Sequence, residues 1–469
     1  MTVVHDYLSY TKKWKQMYGE KTLVLIQMGS FFEVYAIKLP CGKLVGSNIE
    51  DFSRINDMHI AAKNASVTGP IDGVLNNNET GGVVIAGFGL TQYDKYIGKL
   101  QEKGYTIVVY EQDFPGKNAT RSLSEIISPG TFFDTDNLAA SNVTMCIWLE
   151  KSKIYKKRSH QLTVGISWID IYTGKTFLSQ FNKEYSHNPC TYDELERLVA
   201  INNPTECILI TNMDDKYLED ITHYANINCM KLHKVVTTDE TPLSEYAVRS
   251  QKQNYQTEIF KKFYPRISLE NMFSSLSTHY LSMQTFTFLL DFIYKQNPNL
   301  VDKLSVPTIE ISKNSLVLAN HSLQQLNILD EGKITGKLKS VSDLLNNCLT
   351  TMGKRSFQYK LHNPITNNED LQSSYDITEH ILEQKTGVRY REMLSDIHDL
   401  EKLKRKIILK KATPKDLSIF ANDLNHVISL YEKVKKDEKT HTFIMGDTKG
   451  SLSPIEIENV KCREINELS

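Results

Sequence analysis

The chain has 469 residues, with 55 Lys and Arg against 56 Asp and Glu and a formal net charge of -1. That length suits about three domains at roughly 100 to 200 residues each, and the balanced charge means that any binding to a polyanion must rest on local basic clusters. No apolar run approaches the length of a membrane span, the polar start at Met1 leads into Lys12-Lys13-Trp14-Lys15 without a signal peptide, and the seven Cys show neither Cys-x-x-Cys pairs nor His-flanked spacing. They read as reduced and structural, without zinc, in a protein expected to be intracellular and free of the membrane.

In chain order, the first informative element is the buried strand Thr22-Leu23-Val24-Leu25-Ile26, which runs through Gly29 into Ser30-Phe31-Phe32-Glu33-Val34-Tyr35. Gly29 lets the backbone approach something closely. A strand period of two sends Phe32 and Val34 to the core and Phe31 with Glu33 outward. An exposed Phe beside a Glu suits a wedge that unstacks a base step from the minor groove, with a neighbouring group to hydrogen-bond the disturbed base.

These residues resemble the MutS family of DNA mismatch-recognition proteins, whose first domain carries a Gly-x-Phe-Tyr-Glu motif after a strand. The motif here is Gly29-Ser30-Phe31-Phe32-Glu33, with Phe32 in place of the usual Tyr and Ser30 in place of the usual Asp. The resemblance implies that Phe31 stacks at a mispair and Glu33 hydrogen-bonds the mispaired base, with Gly29 and Phe32 as support. A second ordered block follows: Ile85-Ala86-Gly87-Phe88, Tyr96 to Leu100, Gly104 to Gln112 and Ser128-Pro129-Gly130-Thr131. It is similar to the family's Ala-Gly-Ile-Pro segment, helix, strand ending in Glu-Gln, and Thr-Pro-Gly-Thr strand end. Between the blocks the chain departs from the pattern, and the polar stretch Asn76 to Gly82 reads as a loop.

After Thr131, strand runs at Met145–Leu149 and Leu162–Asp170, a turn at Thr173-Gly174-Lys175, a helix from Tyr192 to Ile201 and a strand at Cys207–Ile210 follow in order. This order resembles the MutS connector, which has an RNase H-like fold. An RNase H-type nuclease would need clustered carboxylates to hold two metal ions; Asp170 sits where such a strand acid belongs, while Asp214-Asp215 reads as a loop and helix start. Basic residues cluster at Lys151, Lys153, Lys156, Lys157 and Arg158, a solvated hairpin tip. A second cluster, at Lys402, Lys404, Arg405, Lys406, Lys410 and Lys411, falls on a helix whose apolar stripe is expected to leave the charge outward.

From about residue 253 the pattern becomes helical, through Phe260, Phe263, Leu269, Phe273 and the run Leu281 to Ile293. Leu344-Leu345, Met352-Gly353-Lys354-Arg355 and Leu361-His362-Asn363-Pro364-Ile365 resemble the opening of the MutS lever, and Asp399-Leu400-Glu401 with Ala412 to Leu417 its later part. The expectation is a multidomain α+β chain: residues 1–131 a mixed α/β mismatch-binding domain, 132–252 an RNase H-like α/β connector, and 253–469 an all-α lever, incomplete and running toward the clamp.

The MutS ATPase needs a Gly-x-x-x-x-Gly-Lys-Ser/Thr phosphate loop. The nearest match, Gly332-Lys333-Ile334-Thr335-Gly336-Lys337-Leu338, has one spacer too few and Leu where the hydroxyl belongs. The chain is therefore expected to bind mismatched double-stranded DNA without catalysing a reaction or holding a cofactor or metal, whereas a complete family member is a DNA-dependent ATPase using ATP and Mg. The alternatives are a fragment or split subunit working with a separate MutS ATPase chain or a second MutS-type subunit, a junction-clamping relative, which would lack the Phe-x-Glu pair, and an RNase H-type nuclease.

Overall fold

Seven apolar or weakly polar residues, TLVLIQM, make β1 (Thr22–Met28), and its first five side chains are fully enclosed. The computed structural model describes residues 2–71, 74–76, 79–114, 120–134, 139–154, 159–265, 278–309, 316, 322–328 and 338–447. The chain divides into two compact units, residues 1–310 and 311–469. Expectations on Lys156, Lys157, Arg158, Leu269, Phe273, Cys462 and the near-match at 332–337 lie outside the described residues.

The first unit opens with helix α1 (Thr2–Tyr18), followed by β1, β2 (Phe31–Lys38), β3 (Leu44–Val45), α2 (Ile49–Asn56), β4 (Ala61–Thr68), β5 (Thr80–Gly89), α3 (Tyr93–Gln101), β6 (Thr106–Gln112) and β7 (Arg121–Ile127). The strands form one sheet in the order β4-β5-β2-β1-β6-β7, with β3 on β2. Only β1 and β6 pair in parallel among these neighbours, as a crossover through α3 requires. Aromatic rings cover both faces. Tyr7 and Tyr10 of α1 meet Tyr35 and Tyr110 at 5.4 and 4.2 Å between ring centroids. On the other face Phe52 of α2 and Tyr93 and Tyr96 of α3 surround Phe32 and Phe88. The stretch read as a loop from Asn76 to Gly82 is shorter than expected, because Thr80, Gly81 and Gly82 already belong to β5 and pair with β4.

A second sheet follows from β8 (Val143–Lys153), β9 (His160–Asp170), β10 (Lys175–Tyr185), α4 (Asp193–Asn202), β11 (Glu206–Thr211), α5 (Lys216–Tyr224) and β12 (Lys231–Val236). Its order is β12-β11-β8-β9-β10-β13, where β13 is Thr308–Ile309. The strands β8, β9 and β10 form an antiparallel meander, and β11 and β12 add in parallel beside β8. After α6 (Pro242–Ser250) and α7 (Gln253–Phe263), helix α8 (Tyr280–Gln296) lies against β8, β9 and β10. Its start comes so near β9 that a Cβ on Gly165 would stand 2.6 Å from the Leu281 carbonyl carbon. A helix apolar nearly all round is buried nearly all round, and thirteen of its residues are.

Ser128–Thr131, the exit from the first sheet, is tied to the second by buried polar groups. The Ser128 hydroxyl and the Gly130 amide donate to Glu206, whose other oxygen is 2.7 Å from His233 Nε2. Burial pushes the Glu206 carboxyl upward, but His233, Ser128 and Gly130 outweigh it and hold the group below the usual range.

The second unit is helical: α9 (Ser322–Gln325), α10 (Val341–Leu345), α11 (Thr351–His362), α12 (Asn368–Glu383), α13 (Gly387–Ser395), α14 (Leu400–Ile408), α15 (Pro414–Val434) and α16 (Glu438–Asp447). Side-chain caps start several of them: Thr350 accepts from the Gly353 amide, Asn367 from Glu369, and Thr413 and Asp416 form a capping box with Pro414 at N1. Helix α14 corrects an expectation. Lys402 and Arg405 are buried, Lys406 pairs with Asp416 at 3.1 Å, and Ile407 is exposed. The basic face expected in solvent is partly the packed face, with the Lys402 charge acting on Asp399 and Lys406 paired with Asp416.

Candidate nucleic-acid interface

The two-residue turn between β1 and β2 places Phe31 directly opposite Met28. Gly29 takes φ +62° at the first turn position, where a tight hairpin demands a positive φ that a β-carbon disfavours. Both flanks hold the turn. The Gly29 amide donates to Gln112 Oε1 at 3.2 Å, the Gln112 amide donates to Gln27 Oε1 at 3.0 Å, and Gln27 Nε2 donates to the Gly29 carbonyl at 3.1 Å. Arg121, the first residue of β7, donates through Nε to the Gln27 carbonyl at 2.9 Å. On the other side the Leu90 amide donates to the Ser30 carbonyl at 3.0 Å.

From this anchored turn β2 alternates. Phe31 is 53% exposed, Phe32 4%, Glu33 half-buried and Val34 buried. Phe32 lies among Phe88 and Tyr93 with ring centroids at 6.0 and 5.1 Å, beneath the exposed ring that precedes it. On the β5 side Phe31 faces Gly89 and Glu33 faces Gly87, so that flank is bare backbone, while on the β1 side they face Met28 and Ile26. A Cβ at position 87 would stand 2.5 Å from the Phe32 carbonyl oxygen.

The Glu33 carboxylate accepts a hydrogen bond from the Tyr35 hydroxyl, one strand repeat further on. Tyr35 is fully buried. Its phenol is pushed well above the ordinary value by burial first, then by Glu33. Lys63 of β4 donates to the same phenol oxygen at 3.3 Å, with its ammonium 4.9 Å from the ring centroid. Gly29, Phe31, Phe32 and Glu33, singled out from sequence, thus fall in one hairpin. Tyr35 was legible as the next residue on the Phe31 and Glu33 face; Lys63, Gln27, Gln112 and Arg121 carry no short-range signal, since only the sheet assembles them.

The carboxylates weighed for metal chemistry are differently employed. Asp170 Oδ1 accepts from the Asn142 and Tyr172 amides, each at 3.1 Å, and Oδ2 from the Thr173 hydroxyl at 2.8 Å. It fastens the β9–β10 turn. Asp214 and Asp215 are exposed, with Asp214 3.4 Å from Lys216. Among the described residues no three His, Cys, Asp or Glu side chains gather where they could hold a metal ion, and no helix is long and apolar enough to cross a membrane. Of the described basic residues near the β8–β9 tip, Lys151 rests over the Tyr185 ring at 4.0 Å.

Two family models match the chain: MutS domain I over residues 55–136 and MutS domain III over residues 321–465. The putative DNA mismatch repair protein mutS homolog of Acanthamoeba polyphaga mimivirus is 23% identical over 466 residues, covering 94% of this chain and 40% of the viral protein. The DNA mismatch repair protein MutS of Methanosarcina acetivorans is 25% identical over 432 residues, 90% of this chain and 43% of its own. The mitochondrial DNA mismatch repair protein mutS homolog of Sarcophyton glaucum is 24% identical over 444 residues, 85% of this chain and 42% of its own. The chain spans less than half the length of these curated relatives.

Proposed function

Because the chain belongs to the MutS family, we propose that it recognises mismatched or unpaired bases in double-stranded DNA for mismatch repair. The observation that carries this reading is an exposed Phe31 on a pinned turn, beside a half-buried Glu33 and flanked on the β5 side by glycine. Phe31 inserts from the minor groove at a mispair, where weakened stacking lowers the cost of kinking, and Glu33 accepts a hydrogen bond from the exposed base edge. Gly29 and Phe32 set the height and direction of the wedge. Bound DNA lies wherever replication or repair presents it, in an intracellular setting.

The strand order of the second sheet, a three-strand meander extended by two parallel strands, supports reading residues 132–252 as an RNase H-like connector. Residues 1–131 form the mismatch-binding domain and 253–469 the lever in this scheme; the packing of α7 and α8 within the first unit favours moving the last boundary to about residue 310. Asp170, with its oxygens engaged by the chain around it, gives no support to a nuclease. The chain binds DNA without a cofactor of its own, and ATP with Mg enters only where an ATPase is supplied by other residues than these, in a second subunit or a separate chain.

The test is Phe31→Ala. Base and aromatic stacking is worth ~1 to 3 kcal/mol by alanine substitution in single-strand binders, so the preference for a heteroduplex over a matched duplex should fall about tenfold by fluorescence anisotropy, leaving salt-sensitive background binding. Unchanged preference would remove the wedge.

A further inference from the structure

Glu33 does not stand on the surface as a free carboxylate. One of its oxygens, Oε2, is taken by the Tyr35 hydroxyl, which among the described residues leaves Oε1 for a donor from outside. Tyr35 itself has little freedom to turn, since its ring is fully buried and meets Tyr7 edge-on at 5.4 Å. The phenol has one proton to give. Lys63, an ammonium with donors only, approaches the phenol oxygen at 3.3 Å, so that oxygen serves as acceptor toward Lys63 and its proton is directed to Glu33. Lys63, Tyr35 and Glu33 form a polarised chain from β4 into β2, each bond reinforcing the next.

Resting on the mismatch-recognition reading above, we propose that Tyr35 is the positioning residue for base reading: its hydroxyl, backed by Lys63, holds Glu33 as an oriented acceptor before DNA arrives. A half-exposed Glu side chain without that bond would sample several rotamers and lose them on binding, which weakens recognition even though the carboxylate is still present. The acceptor is aimed past Phe31, because both side chains stand on the same face of β2 two residues apart. The preference built this way falls on mispairs that present an N–H donor at the disturbed edge.

The experiment is a double-mutant cycle read as the ratio of affinities for a duplex with one mispair and the same duplex fully paired, measured by fluorescence anisotropy on the full chain. Tyr35→Phe keeps the ring against Tyr7 and removes only the hydroxyl. The ratio should drop about three- to tenfold in the Glu33 protein and stay unchanged in a Glu33→Ala background, where nothing remains to be positioned. A drop of equal size in both backgrounds, or none in either, overturns the proposal. Lys63→Met, a change at an exposed residue, supplies a second arm: a smaller drop that disappears once Tyr35 is Phe supports the chain, and a drop independent of Tyr35 overturns it. Phe31→Ala run beside them separates the two levels. Selectivity lost with Phe31 but kept with Tyr35→Phe removes the positioning role alone, and selectivity kept with Phe31→Ala removes both it and the function on which it rests.

Discussion

Phe31 faces Gly89 directly across the β2–β5 ladder, and a side chain at position 89 would have open space around it, with the Ser30 carbonyl oxygen 4.0 Å from its Cβ. The backbone at Gly89 is extended, at φ -71° and ψ 148°, a conformation open to any residue. Gly89→Leu should therefore fold normally, with an unchanged thermal midpoint, and yet place a bulky neighbour against the wedge. Its preference for mismatched duplex should fall toward that of Phe31→Ala while Gly89→Ala stays near the parent. Full selectivity in the Leu variant would show that insertion does not need a bare flank.

That pair also shows how much could be read from the chain alone. The alternation of Phe31, Phe32, Glu33 and Val34 follows from strand periodicity, and burial follows it. Strand β4 was not legible: AAKNASVT has a single buried residue, Val67, and gains its strand character by pairing with β5 at the sheet edge. Lys63 was invisible to the site for the same reason. On α14 the helical period put the basic residues outward, whereas Lys402 and Arg405 are buried and Ile407 is exposed. Both cations are packed inside the second unit, and no local pattern in a helix states what packs against it. Helix α8 was legible as a helix, while its packing on the second sheet depends on the long-range approach at Gly165.

In the second unit, Arg355 is expected to act as a clamp between α11 and the start of α14. Its Nη1 and Nη2 donate to the two Asp399 oxygens at 2.6 and 2.8 Å, and Nη2 also reaches Glu401 at 2.6 Å. Burial pushes the Asp399 carboxyl upward, but Arg355 outweighs it and leaves the group below its usual value. Such a group contributes stability above its unfolded-state pKa and loses it as pH falls through the folded value. Arg355→Leu removes the shared partner of two acids and should cost roughly 2 to 4 kcal/mol, somewhat below the roughly 3 to 5 of a fully buried pair because all three side chains keep some solvent. Hydrogen exchange over Thr351–His362 and Leu400–Ile408 should accelerate. Unaltered protection in both helices would rule the clamp out.

His362 sets a second acid limit in the same unit. Both ring nitrogens are buried without a hydrogen-bond partner among the described residues, and burial lowers its pKa to about 4. The unfolded chain holds a His that protonates near pH 6.5. Between those values the unfolded state binds the extra proton, so stability falls as pH drops from about 6.5 toward 4, by up to roughly 3 kcal/mol at 1.36 kcal/mol per pKa unit. His362→Leu should flatten urea-denaturation stability over that window and leave the neutral-pH value within about 1.5 kcal/mol, as a near-volume-conserving apolar replacement permits. An equally steep acid dependence in the Leu variant would assign the loss to other groups.

Glu33→Gln separates base reading from general repulsion of DNA. If Glu33 acted only as a surface charge beside phosphates, the neutral amide would tighten both matched and mismatched duplexes equally, and the gain would shrink with added salt as screening removes the repulsion. If Glu33 accepts a hydrogen bond from the mispaired base, the matched duplex gains the relief from repulsion in full, while the mismatched duplex gains the same relief and gives up a charge-assisted bond, about twice as strong as a neutral one. The ratio of affinities should then fall at every salt concentration, with the two salt slopes remaining parallel. Tyr35 sharpens the expectation, since its hydroxyl still has an amide oxygen to donate to and keeps the side chain in place, so the lost charge is the main change. Titrations of both duplexes at several salt concentrations read this directly, and an equal gain on both would leave Phe31 as the reader and take Glu33 out of the site.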